Sequence, residues 1–161
     1  MEEQFLIVKT DLDPASAASD YQQRLLETLG PDLRLDMLLL GMGPDGHTCS
    51  LFPGHALLSE PEPSKGGRIV APITDSPKPP PCRVTLTLPV GIFLSRNCFD
   101  QFIEQVVNSA KCCVFACVGQ SKADMVNKIL GIKEDFPATR VQPQEPGEVV
   151  WILDKGAASG L

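Results

Sequence analysis

No run of apolar residues in this chain approaches the ~20 needed to cross a bilayer as a helix, so no such span is expected. A surplus of positive charge is missing too. Fourteen Lys and Arg against twenty Asp and Glu leave a formal net charge of −6. Nucleic acid is therefore excluded as the main partner, because a phosphate backbone demands a basic face. A small anionic substrate is not excluded, since a few local cations suffice for it. The start, Met1-Glu2-Glu3-Gln4, lacks the positive charge and apolar core of a signal peptide, and a cytoplasmic location is expected. The six cysteines form no repeated C-x-x-C pair. Disulfides are not expected in such a compartment, and Cys112, Cys113 and Cys117 lie in an apolar run where thiols act as small hydrophobes. His47, Cys49 and His55 match no common zinc spacing, so no metal is expected. Internal repeats and low-complexity tails are absent as well.

What is present is enough apolar residue, 43% of 161 positions, to fill the core of one domain spanning 1–161. Phe5 to Val8 reads as a short strand. Asp13 reads as an N-cap with Pro14 in the first helical position, opening a helix through Tyr21, Leu25, Leu26 and Leu29 that stops at Gly30-Pro31. Leu35 to Leu40 is too short and too apolar for most helices and reads as a buried strand. Pro61 to Pro81 is proline-rich and reads as a long irregular connection. Arg83 to Leu88 alternates and is β-branched, as in a strand. Phe99 to Val107 has helical spacing, Cys112 to Val118 reads as a buried strand, Ser121 as the cap of a helix ending before Gly131, and Val149 to Leu153 as a last strand. Trp151 there is expected to pack in the core. Strands alternating with helices predict an α/β fold with a mainly parallel sheet flanked by helices.

The Leu35–Leu40 strand runs into Gly41-Met42-Gly43-Pro44-Asp45-Gly46-His47. A glycine-rich turn after a buried strand sits at the carboxyl edge of the sheet, where α/β proteins bind ligands. The Gly-x-Gly-x-x-Gly spacing also fits a dinucleotide fingerprint. Pro53-Gly54, however, ends any following helix too soon to hold a pyrophosphate, and no ribose-binding acid follows a second strand. The glycines instead let the backbone turn sharply beside a ligand. Asp45 and His47 pair a carboxylate with the side chain best suited to take a proton near neutral pH. The alternative is an aspartate capping a turn beside a surface histidine. Arg83 opens a strand after the stiff Pro79-Pro80-Pro81 segment, which suits a guanidinium aimed at a phosphate, with Lys78 as a second cation; either also reads as an ordinary solvated charge.

Two blocks, Gly41 to His55 and Ile73-Thr-Asp-Ser-Pro-Lys-Pro-Pro-Pro-Cys-Arg-Val-Thr-Leu-Thr-Leu-Pro89, resemble the signatures of the 6-phosphogluconolactonase family in sequence, order and spacing, and are most similar to animal cytosolic forms. Val141-Gln-Pro and Val150 to Asp154 resemble the family's C-terminal end. The resemblance implies a sugar-phosphate isomerase/lactonase-like, Rossmann-type fold, here partial, shared with glucosamine-6-phosphate deaminase. It implies hydrolysis of 6-phosphoglucono-δ-lactone to 6-phosphogluconate in the oxidative pentose phosphate pathway, with no metal or organic cofactor. His47 is then the general base on water and Asp45 its orienter. Gly43 and Gly46 shape the substrate side of the turn, and backbone N–H groups of the Gly43 to Gly46 turn are implied to stabilise an oxyanion, a contribution typically worth ~3 kcal/mol per donor. Lys78 and Arg83 hold the phosphate. The Ser-Gly-Gly-Ser-type phosphate loop and the Asp-Glu-Arg segment of the family's N-terminal half do not occur in these residues, and 91–106 reads as an insertion. A truncated, impaired enzyme is therefore expected. A non-catalytic, sugar-phosphate-binding remnant that self-associates through uncovered apolar surface stands as the alternative, and a deaminase-like isomerase as a lesser one.

Overall fold

A computed structural model describes residues 5–30, 33–60, 67–88 and 107–161. The expected insertion at 91–106 and most of the helix expected around it lie outside the described residues. Helix α1 (Pro14–Leu29) begins where predicted. The Asp13 carboxylate accepts the N–H groups of Ala15 and Ser16 at 3.0 and 3.2 Å, and Pro14 costs no hydrogen bond at the first position. The helix ends on Gly30, whose φ of +76° favours glycine and whose N–H reaches the Leu26 carbonyl at 2.9 Å.

Strands β1 (Leu38–Leu40), β4 (Cys112–Cys117) and β5 (Glu148–Leu153) form a parallel sheet in the order β1-β4-β5. Leu39 lies opposite Val114, which lies opposite Val150. Strands β2 (Val70–Ile73) and β3 (Arg83–Leu86) form a separate antiparallel pair, with Ile73 opposite Arg83. α1 packs on this pair through Ala18 and Leu25 against Val70, with Leu33 and Ile69 in the same cluster. The Gln22 side-chain carbonyl accepts the N–H groups of Ile69 and Val70, both at 3.1 Å, and so satisfies an otherwise open strand edge. The main core lies on one face of β4, where Cys113, Phe115 and Cys117 are buried with Val126 and Ile129. Trp151 stacks on Phe115 at 4.2 Å between ring centroids, the packing role its strand implied.

Several expectations change. Phe5 to Val8 is not a strand: Phe5 and Ile7 point into solvent, and Arg24 Nη2 holds the Ile7 carbonyl at 2.8 Å from the helix. Within the proline-rich stretch, β2 does form. A two-stranded sheet has only edges, so Pro72 lacks nothing it must donate. β1 has three residues rather than six, Leu38 to Leu40, paired with Cys113 to Phe115 of β4. Ser121 lies inside a 3₁₀ turn (Gln120–Lys122), not at a cap; Asp154 instead accepts the Gly119 N–H at 3.0 Å. Helix α2 (Ala123–Val126) passes into a π-helical turn (Asn127–Ile132) that contains Gly131 and ends on the left-handed Lys133. No helix among the described residues is long and apolar enough to cross a membrane.

Candidate active site

β1 and β4 run parallel and adjacent, so the segments leaving their carboxyl ends meet. Lys122, in the turn after β4, donates from Nζ to the Met42 carbonyl at 2.6 Å, just after β1. The intervening turn closes on itself. Gly46 N–H bonds to the Gly43 carbonyl at 3.1 Å, and Gly43 N–H to the His47 carbonyl at 2.8 Å. Thr48 Oγ1, fully buried, donates to the Gly41 carbonyl at 2.9 Å. Gly46 has a φ of +79°, and a Cβ there would press on Phe136 at 2.8 Å. A Cβ on Gly43 would overlap the His47 ring and come within 2.6 Å of Asp45 Oδ1. The two glycines thus do different things: one permits the turn, the other leaves room for the imidazole. Of the N–H groups expected to meet an oxyanion, those of Gly43 and Gly46 are instead bonded to the turn's own carbonyls.

His47 Nδ1 lies 2.6 Å from Asp45 Oδ1, and Lys78 Nζ lies 2.9 Å from the same oxygen. Burial pushes the Asp45 carboxyl upward, but hydrogen bonds from Lys78 and His47 more than offset it and hold the group at about 2. Asp45 is therefore an ionised acceptor at neutral pH. Nδ1 must be the donor, and in the neutral ring Nε2 carries the lone pair. Phe52, buried, tilts against the imidazole at 4.5 Å and 37°, and its ring lies 5.5 Å from the Arg83 guanidinium carbon. Arg83 donates from Nε to the Pro80 carbonyl (3.1 Å) and from Nη2 to the carbonyls of Lys78 (3.0 Å) and Pro79 (2.9 Å). Its strand position thus braces the loop that carries Lys78, and among the described residues these three bonds use Nε and Nη2 but not Nη1.

The second histidine is built differently. His55 Nδ1 accepts the Leu57 N–H at 3.2 Å, and Nε2 faces Asp75 Oδ1 at 3.2 Å. Both nitrogens are occupied, so His55 is a cap rather than a base. Cys49 is no nucleophile either, since burial pushes its thiol up to about 11. A shallow cavity of about 230 Å³ is lined by Tyr21, Cys49, Ser50, Val70, Val84 and Thr85, with no charged side chain among its lining residues. Among the described residues no three His, Cys, Asp or Glu side chains converge as metal ligands. The structure thus brings Asp45, His47, Gly43 and Lys78 into contact and joins Arg83 to them through Phe52. Phe52 and Lys122 were not singled out from the sequence. The readable signal for Lys122 was a basic residue just past a strand that neighbours β1.

The arrangement is an imidazole oriented by a carboxylate at the edge of a parallel sheet, a pairing able to take up a proton from a bound molecule. Residues 1–98 match the model for glucosamine-6-phosphate isomerases/6-phosphogluconolactonase, and the chain belongs to this family. It is 43% identical over 161 residues to 6-phosphogluconolactonase of Homo sapiens, covering 98% of this chain and 54% of that protein. Against the solved 6-phosphogluconolactonase of Trypanosoma cruzi the TM-score is 0.68 at 26% identity, covering 95% of this chain and 55% of that one. A monomeric glucosamine-6-phosphate deaminase shares the fold at a TM-score of 0.62 and 22% identity, over all of this chain and 61% of that one. The chain spans about half the length of the curated relatives it matches.

Proposed function

We propose that this chain hydrolyses a sugar-phosphate lactone, 6-phosphoglucono-δ-lactone, to 6-phosphogluconate, in the cytoplasm and as a step of the oxidative pentose phosphate pathway. The single observation that carries the reading is the dyad: an ionised Asp45 on His47 Nδ1, with Nε2 left as the proton acceptor. In this reading Nε2 takes a proton from water as the water oxygen attacks the lactone carbonyl carbon. The tetrahedral intermediate then collapses, the ring C–O bond breaks, and the same proton passes from Nε2 to the departing ring oxygen. A lactone is an activated ester, so a positioned base supplying typically 10²–10⁴-fold suffices. Arg83 Nη1 meets the phosphate, and the Gly43 and Gly46 backbone shapes the wall beside the reacting carbon. These residues span about half the length of the curated relatives, and on their own a rate below that of a full-length relative is expected. The test is hydrolysis of freshly generated lactone above its spontaneous opening. His47→Ala should remove the enzymatic part, and equal rates for the two proteins would refute the reading.

A second reading has its own observation. Leu39, Ile152 and Val118 are 78%, 59% and 71% exposed. Leu39 and Val150 sit in register on one face of the parallel sheet, beside Ile152. Parallel sheets are ordinarily covered on both faces, so a non-catalytic protein that associates through this face is the alternative. Concentration-dependent elution on size exclusion, with no thermal shift from 6-phosphogluconate and no turnover, would favour it.

A further inference from the structure

We propose that Lys78 is a positioning residue that balances the charge of the Asp45–His47 pair and keeps His47 neutral and able to accept a proton, rather than a ligand for the phosphate. The proposal rests on the reading of His47 as the base. Lys78 Nζ and His47 Nδ1 share one oxygen, Asp45 Oδ1, at 2.9 and 2.6 Å, so the two nitrogens stand no more than about 5.5 Å apart. A carboxylate alone on an imidazole favours the imidazolium, which has no lone pair for water. A second cation on the same oxygen offsets part of that field. Asp45 can then orient the ring by its hydrogen bond without turning it into a cation.

The loop between β2 and β3 is built to keep Lys78 there. The Lys78 carbonyl accepts from Ser76 Oγ at 2.7 Å and from Arg83 Nη2 at 3.0 Å, and its N–H reaches Ser76 Oγ at 3.3 Å. Ser76 N–H in turn bonds the Pro81 carbonyl at 3.1 Å. The other charged groups around the ring have different duties. Arg83, from β3, lies beyond the Phe52 ring and is tied to loop carbonyls. Lys122, from the turn after β4, is on the Met42 carbonyl. Among the described residues Lys78 is the cation that touches the Asp45 carboxylate.

The chain has two histidines, so two imidazole Cε1–H resonances titrate, and His47→Ala assigns them. In the full chain, Lys78→Met should raise the His47 midpoint by about one pH unit, the size expected for a lost charge at this range. Lys78→Arg, which keeps the charge, should leave the midpoint near that of the parent, and the His55 midpoint should stay fixed in both. A His47 midpoint that is unchanged or lower in Lys78→Met overturns the proposal, as does an equal rise in Lys78→Arg. If Lys78→Met loses spectral dispersion, Lys78→Gln takes its place with the same expectation. The titration needs no turnover, so an inactive chain refutes the lactonase reading and leaves this test standing. With turnover, the acid limb of kcat/KM should move up with the midpoint.

Discussion

Replacing Gly43 by alanine adds one methyl group where the His47 ring leaves no room for it. The new Cβ would occupy the space of the His47 ring and stand 2.6 Å from Asp45 Oδ1. To give way, the ring must lose its packing on Phe52 at 4.5 Å and its 2.6 Å contact with Asp45 Oδ1. Overpacking of this kind costs typically 1–3 kcal/mol, while alanine lowers unfolded-state entropy by the equivalent of about 0.4–1 kcal/mol. The net is a destabilisation of about 1–2 kcal/mol, or a Tm lower by about 4 °C for a chain of this size. The dyad should also break, so enzymatic turnover should fall by the 10²–10⁴ that a positioned base provides. Gly41→Ala is the internal comparison. It lies two residues away in the same motif, yet its Cβ would meet nothing within 4 Å and its φ is not in the left-handed region. It should be neutral or stabilising by up to about 1 kcal/mol. Differential scanning calorimetry of the two variants beside the parent decides the matter. Equal Tm changes, or a Gly43→Ala protein as stable as the parent with the Asp45–His47 contact intact by NMR, would refute the steric reasoning.

Two further outcomes follow from the thiols and the carboxylate. The folded Asp45 carboxyl at about 2, against an ordinary 3.8, stabilises the fold above pH 4, and the contribution is lost as pH falls through about 2. The full shift would amount to about 2.4 kcal/mol, but a third of the side chain meets solvent, and screening reduces this to about 1 kcal/mol. Urea midpoints of the parent and Asp45→Asn should differ accordingly at pH 7 and converge near pH 2. Among Cys49, Cys82 and Cys113, iodoacetamide at pH 7.5 should label the exposed Cys82 first, since burial holds the other two thiols at about 11; mass spectrometry that finds Cys49 labelled as fast would contradict that burial.

Much of the fold was legible because the decisive residues act locally. Asp13, Pro14 and Gly30 bracket α1 through their own capping bonds and φ values, and β4 and β5 are apolar runs of strand length. What was not legible depends on pairing at a distance. β2 exists because β3 returns to pair with it, despite Pro72, and Phe5 to Val8 stays unpaired although its composition suits a strand. The chemistry divides in the same way. Asp45 and His47 are two residues apart and could be read together, whereas the contact between Lys78 and Asp45 crosses from the β2–β3 loop to the β1 turn. Only folding shows that Arg83 braces its loop, and that the Gly43 and Gly46 N–H groups are consumed by the turn.

The positions of these contacts separate the site from the apolar sheet face. Every hydrogen bond that fixes the dyad arises within the chain, from the β1 turn, the β2–β3 loop and the turn after β4. The exposed Leu39, Val150 and Ile152 lie on the sheet itself, upstream of its carboxyl edge. Covering a large aliphatic side chain is worth about 1.5–3 kcal/mol, so a surface that met this face would change stability by several kcal/mol. It would do so without touching Asp45, His47 or Lys78. A gain in stability from covering this face is therefore not by itself a sign that the Asp45–His47 pair works as a base.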